Sequence, residues 1–224
     1  MQIAIALFPR FTSLDAVGPY EVLTRLSRTD VVFAAERRGP VPNESGELSL
    51  VAEATLDEVT RPDILLMPGG PGVLDQLSED GAQPLVEWVR AVDPHTTWTT
   101  SVCAGSLILG AAGLLKGRRA TSHWLALEQL PAYGAQPTLE RVVVDGKYVT
   151  AAGVSSGLDM ALTLAGRIAG GTEAQAIQLA IEYDPQPPYD SGSPTKAPAE
   201  VHKAFQARVG QLVLGEPDRP GLTR

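Results

Sequence analysis

Residues 99–110 read TTSVCAGSLILG, and the fold follows from how that stretch changes character at its cysteine. Thr-rich, β-branched sequence suits a pleated, buried surface, so a strand is expected over Thr96–Val102. Ala104–Leu115 has the small and apolar composition of a tightly packed helix. Ala104, Gly105 and Ser106 leave room for a sharp strand-to-helix turn at Cys103. Such a turn has the character of a nucleophile elbow, although the G-x-S-x-G pattern of serine hydrolases is absent.

Outward from that turn, strand-like and helix-like stretches alternate. Ile3–Phe8 is a short apolar run suited to a buried strand, broken by Pro9. Asp15–Leu26 has helical spacing, and Val31–Ala35 reads as a second strand. Residues 39–56 are rich in turn formers and suggest a small hairpin excursion. Asp63–Met67 is a buried strand ended by Pro68-Gly69-Gly70-Pro71-Gly72. A helix is expected over Ala82–Val92, and Thr121 closes a brief extended piece before a helix around Trp124–Leu130. Val142–Val144 and Tyr148–Ala152 flank Asp145-Gly146, a hairpin signal. Helices are expected over Gly157–Ala169 and Thr172–Tyr183. Alternation of this kind predicts an α/β sandwich with a mostly parallel sheet between two helical layers. The proline-rich stretch 184–198 is expected to run extended, and a last amphipathic helix over Glu200–Leu214 to precede a loose tail. Residues 1–183 thus read as one α/β domain, with 184–224 packing on it.

Bulk properties narrow the function. The chain has 224 residues, a net charge of −8 and no conspicuous Lys/Arg cluster, which argues against nucleic-acid binding. No apolar run is long enough for a membrane span, and the start reads as a strand rather than a signal peptide. One cysteine and three scattered histidines, His95, His123 and His202, offer no zinc spacing. A cytoplasmic protein without a metal is expected.

In open parallel sheets, ligands collect beyond the carboxyl ends of the strands. The residues just past the expected strand ends are Asp15, Gly69-Gly70, Cys103, His123 and Gly153-Val154-Ser155. An acid, a glycine loop, a thiol and an imidazole would then share one rim. Unsatisfied N–H groups at a helix start favour an anion and are expected to draw the Cys103 thiol below its ordinary pKa. The alternative is an inert packed cysteine. Gly69, Gly70 and Ala104 are candidate oxyanion donors through their N–H groups. Asp15 is either a helix N-cap or, facing Cys103 in a partly apolar pocket, a carboxyl with a raised pKa that delivers a proton. His123 is either a base for Cys103 or a structural residue at a strand end.

The phrases SLDAVGPYEVL, LLMPGG, TTSVCAGSLILGAAGLLKGRRATSHW and VTAAGVSSGLDMALTLAGRIAG together resemble the ThiJ/PfpI superfamily over residues 1 to 183. The phrase AQAIQLAIEYDPQPPYDSGSP is similar to its isonitrile hydratase branch. The resemblance implies a flavodoxin-like sandwich, a homodimer without metal or organic cofactor, and a small-molecule substrate. It places the nucleophile at Cys103 and the interacting acid at Asp15, and the neighbouring histidine of the pattern matches His123; His123 and Val154, on the same rim, are candidates for oxyanion or substrate binding. One position departs from the hydratase pattern, where Thr typically follows the cysteine and Ala104 stands here. The implied reaction is hydration of an isonitrile to an N-substituted formamide through a Cys103 thioimidate. Two alternatives stand beside it: glyoxalase-type chemistry on reactive carbonyls, and a non-catalytic cysteine-based sensor. Related domains are fused to helix-turn-helix regulators, and the 41 residues after Tyr183 are too few for such a module.

Overall fold

Ile3, Ala4, Ile5 and Ala6 are fully buried, so the first strand, β1 (Gln2–Ala6), is covered on both faces, as its unbroken apolar run predicts. The computed structural model describes residues 1–78 and 83–210. It divides into two compact units, Met1–Tyr183 and Asp184–Arg224.

After β1 come α1 (Ser13–Leu23), β2 (Asp30–Ala35), the hairpin pair β3 (Gly39–Pro42) and β4 (Ser49–Ala52), and β5 (Ala54–Thr55). β6 (Ile64–Met67), the short α2 (Val73–Gln76), α3 (Pro84–Val92), β7 (Trp98–Val102) and α4 (Gly105–Ala111) follow. Then come β8 (Arg119–Ala120), β9 (Gln136–Pro137), β10 (Val142–Asp145), β11 (Tyr148–Ala151), α5 (Ser156–Ala169) and α6 (Gly171–Ala180). Seven strands form the central sheet in the order β10-β11-β7-β6-β1-β2-β5. All its pairs are parallel except β10 with β11. Helices flank it, α1 packing on α5 and α5 on α6, α3 on α4, which is the expected three-layer flavodoxin-like sandwich.

The topology locates a crevice. From β1 the chain moves outward through β2 to β5, then returns to lay β6 on the other side of β1. Strand order therefore reverses between β1 and β6, and loops leaving their carboxyl ends diverge there. Those loops lead to Asp15 and to Gly69-Gly70.

Several boundaries differ from the expectations. α1 starts two residues before Asp15, so Asp15 lies in the first turn instead of capping it. Pro19, four residues on, has no N–H to bond the Asp15 carbonyl. The helix expected around Trp124–Leu130 is a 3-10 stretch over Leu127–Tyr133 with Pro131 inside it. α4 stops at Ala111 because Gly113 turns the chain at φ +82°. The expected helix start at Ala82 lies outside the described residues, and α3 begins at Pro84.

In the second unit, residues 184–198 are neither helix nor strand and turn at Ser193, whose carbonyl accepts from Lys196 and Ala197 N–H. α7 (Ala199–Gln206) has no buried residue. The expected helix end at Leu214 and the tail after it lie outside the described residues. No helix among the described residues is long and apolar enough to cross a membrane.

Candidate active site

Cys103 sits between β7 and α4 with φ at +59°, a left-handed conformation that side-chain-bearing residues adopt only under constraint. The constraint is visible. Its N–H is shared between the carbonyls of Ala151 (3.1 Å) and Ala152 (2.8 Å). Its own carbonyl accepts from the Ser106 hydroxyl at 3.3 Å and the Ser122 hydroxyl at 3.0 Å. Glycines let the neighbouring backbone close around the turn. A Cβ on Gly69 would lie 2.5 Å from the Ala104 nitrogen, and one on Gly105 2.3 Å from the Met67 carbonyl oxygen.

Asp15 is fully buried. Its Oδ2 accepts the Gly69 N–H at 2.9 Å, a bond across the strand-order reversal. Its Oδ1 is buried without a partner in ordinary hydrogen-bond geometry. Burial pushes the carboxyl from its usual range up to about 7; the Gly69 N–H opposes this, the charge of Glu44 adds to it, and the Cys103 thiol acts as a weak donor. The bland reading of Asp15 as a helix cap fails, since its carboxylate bonds another loop.

Cys103 as a whole residue is 7 % exposed. The N–H groups of Ala104 and Val154 point at it and favour its anion. Val154 belongs to the loop joining β11 to α5. Closeness of α1 to α5 brings that loop to Asp15: a Cβ on Gly157 would touch Pro19 and Val102 at 3.2 Å. His123 reaches the same rim, its ring packed on Gly153, where a Cβ would lie 2.9 Å from the imidazole Cδ2. Contacts thus join Asp15, Gly69, Cys103 and Val154, while His123 lies on Gly153, next to Val154.

Two expectations are corrected. The Gly69 N–H is committed to Asp15, so the backbone groups serving the sulfur are those of Ala104 and Val154. Gly70 packs its Cα on the Arg10–Thr12 backbone at φ +125°, with a Cβ position 2.6 Å from both Arg10 O and Thr12 N. The thiol pKa is not drawn down. Burial pushes it well up, and the charge of Asp15 adds to this, outweighing the two N–H donors. Carboxyl and thiol therefore titrate as a coupled pair. With one proton between them, placing it on Asp15 removes the carboxylate charge that pushes the thiol up and leaves both N–H groups facing sulfur, which favours the thiolate.

His123 is not among the groups acting on Cys103. Its Nδ1 accepts the Leu125 N–H at 3.3 Å, and burial lowers its pKa, so the ring is neutral at neutral pH. Ser155 occupies the N-cap position of α5 without a side-chain cap bond; its hydroxyl accepts from Arg141 at 3.2 Å. Sequence reasoning missed Glu44, whose charge acts on Asp15. Its position in a turn-rich hairpin gave no signal. Among the described residues, no group of three or more His, Cys, Asp or Glu side chains is arranged to hold a metal ion.

A DJ-1/PfpI family model matches residues 1–167. The chain belongs to the DJ-1/PfpI family. It is 43 % identical to an isonitrile hydratase of Pseudomonas putida over 90 % of this chain and 86 % of that protein. It is similar to the crystal structure of a ThiJ/PfpI family protein from Pseudomonas syringae, with a TM-score of 0.88 and 38 % identity over 94 % of this chain and 86 % of that one. A deglycase of Pyrococcus furiosus is 28 % identical over 67 % of this chain and 89 % of its own length. The family match and the strained Cys103 turn account together for the sandwich and its elbow.

Proposed function

We propose that the protein hydrates an isonitrile, R–N≡C, to the formamide R–NH–CHO, with Cys103 as nucleophile and Asp15 as the proton carrier. The observation that carries the reading is the buried Asp15 carboxyl beside the Cys103 elbow, its Oδ1 unpartnered, in a chain similar to an isonitrile hydratase along nearly its whole length.

The reacting form holds the proton on Asp15 and the charge on sulfur. The thiolate bonds to the terminal isonitrile carbon while the Asp15 proton moves to that carbon, giving the thioimidate Cys103–S–CH=N–R and a carboxylate. Water then adds to the thioimidate carbon. Asp15 takes a proton from the water oxygen and passes it to nitrogen, leaving R–NH–CH(OH)–S. As the C–S bond breaks, the hydroxyl proton goes to Asp15 and the electron pair returns to sulfur. Formamide leaves and the starting form is restored. The N–H groups of Ala104 and Val154 face the sulfur whenever it carries charge, which lowers the cost of expelling it. The Gly69 N–H holds Oδ2, so the proton traffic falls to Oδ1. Ala104 supplies no hydroxyl, so the added water is oriented by Asp15.

The test mixes the purified protein with cyclohexyl isocyanide and follows N-cyclohexylformamide by chromatography. Formamide well above a Cys103→Ala control supports the reading; none above that control ends it. Lactate from methylglyoxal without formamide would instead support carbonyl chemistry. Rapid peroxide oxidation of Cys103 with neither product would support a sensor.

A further inference from the structure

A second carboxylate stands at this site. Glu44 lies in the turn between β3 and β4, and that turn is stapled to the segment leading into α1. The Glu44 N–H donates to the Phe11 carbonyl at 3.0 Å, the Arg10 N–H to the Pro42 carbonyl at 2.9 Å, and the Asn43 side-chain amide to the Ser13 hydroxyl at 3.0 Å. Phe11 and Asn43 also form an isolated parallel bridge. The same segment presses on the glycine loop, since Thr12 N–H bonds Gly69 O at 2.9 Å. The hairpin turn is thus fixed to both loops that frame Asp15. Within it, Glu44 Oε2 is buried and has no hydrogen-bond partner, a placement that the hydrogen bonding of the hairpin does not explain.

We infer that Glu44 is a positioning residue of the Cys103 site, a fixed like charge that keeps the shared proton on Asp15. Its carboxylate acts on Asp15 through space, in the same direction as burial. The titratable groups acting on Asp15 are Cys103 from the elbow and Glu44 from the hairpin, while the glycine loop contributes the Gly69 N–H. Arg10 is paired with Asp75 at 3.3 Å. Two acids that approach each other do not both ionise readily, so a neighbouring charge favours the protonated form of the more buried one. The hairpin then tunes the reaction from outside the parallel sheet. The inference rests on reading Cys103 and Asp15 as the reacting pair, but its test needs no substrate.

The rate of Cys103 alkylation by iodoacetamide, measured against pH, reports the thiolate. In Glu44→Gln the backbone bond and side-chain shape remain and the charge is lost, so Asp15 gives up its proton at lower pH and its carboxylate then holds the thiol protonated. The expected result is a rise in alkylation displaced to higher pH by about half a unit or more. Glu47→Gln, an equal change of net charge on the same hairpin, leaves the profile in place. In an Asp15→Asn background the displacement caused by Glu44→Gln shrinks to less than half. Superimposed Glu44→Gln and wild-type profiles overturn the inference, as does the same displacement in Glu47→Gln or one undiminished without Asp15. Failure to form formamide would sink the proposed hydration and leave this result standing.

Discussion

Asp15 and Cys103 each lose solvation by burial, and each is pushed toward its neutral form. In the proposed hydration they share what neither holds alone, a single proton and a single charge. His123 stands close by but outside that exchange. His123→Ala is expected to leave the pH profile of Cys103 alkylation unmoved and to lower isonitrile turnover less than about tenfold, whereas Asp15→Asn should lower it about a hundredfold or more. Steady-state rates of the two variants check the contrast; a larger loss in His123→Ala would return the imidazole to the mechanism. Cys103 and Asp15 were legible from sequence because each stands where a strand-end loop meets a helix. Glu44 was not, because hydrogen bonds between a hairpin and the Phe11–Ser13 segment, far apart in sequence, bring it in. The direction of the thiol pKa was misread for a related reason: a helix start is visible in sequence, but the depth of burial that outweighs it is not.

At the scale of elements, the sheet has a polar pin near the N-terminal end of β7, opposite the site. Asp93 is 6 % exposed and accepts from the Thr99 hydroxyl at 2.7 Å and the Tyr148 hydroxyl at 3.0 Å. Lys147 pairs with it at 3.1 Å, and the Arg118 guanidinium lies 4.3 Å from the Tyr148 ring centre. Burial and the Asp93 charge push the Tyr148 hydroxyl up to about 12, so it stays a donor. The pin ties the turn before β7 to β11, the strand whose following loop carries Val154. Asp93→Ala strands Lys147 and two hydroxyls and should cost about 3 kcal/mol in chemical denaturation, with Asp93→Asn losing less. A loss under about 1 kcal/mol would mean the network contributes little. Strands and long helices were legible at this scale because periodicity survives burial. The 3-10 stretch at Leu127–Tyr133 was not, since apolar spacing alone does not reveal that Pro131 interrupts the helical ladder.

At the scale of the whole molecule, a mostly parallel sheet reverses its strand order between β1 and β6, and Asp15 and Cys103 sit over that reversal. The arrangement carries a cost that varies with pH. Folded Asp15 binds its proton up to about 7, against an ordinary value of 3.8. Between those values the folded state holds more protons than the unfolded one, so the contribution of Asp15 to stability falls as pH rises and levels off above the folded value. Asp15→Asn keeps an acceptor for Gly69 N–H and cannot ionise. Its stability relative to wild type should therefore grow by on the order of 2 to 3 kcal/mol between about pH 5 and about pH 8, read from denaturant melts; a constant difference would contradict a raised Asp15 pKa. The proposed covalent chemistry runs through one sulfur atom, and acid-quenched protein taken during turnover of cyclohexyl isocyanide tests it by peptide mass spectrometry. The expected result is a Cys103 peptide heavier by one whole isonitrile, absent from Cys103→Ala. Formamide produced at an undiminished rate by Cys103→Ala, with no adduct on the wild-type peptide, would contradict it.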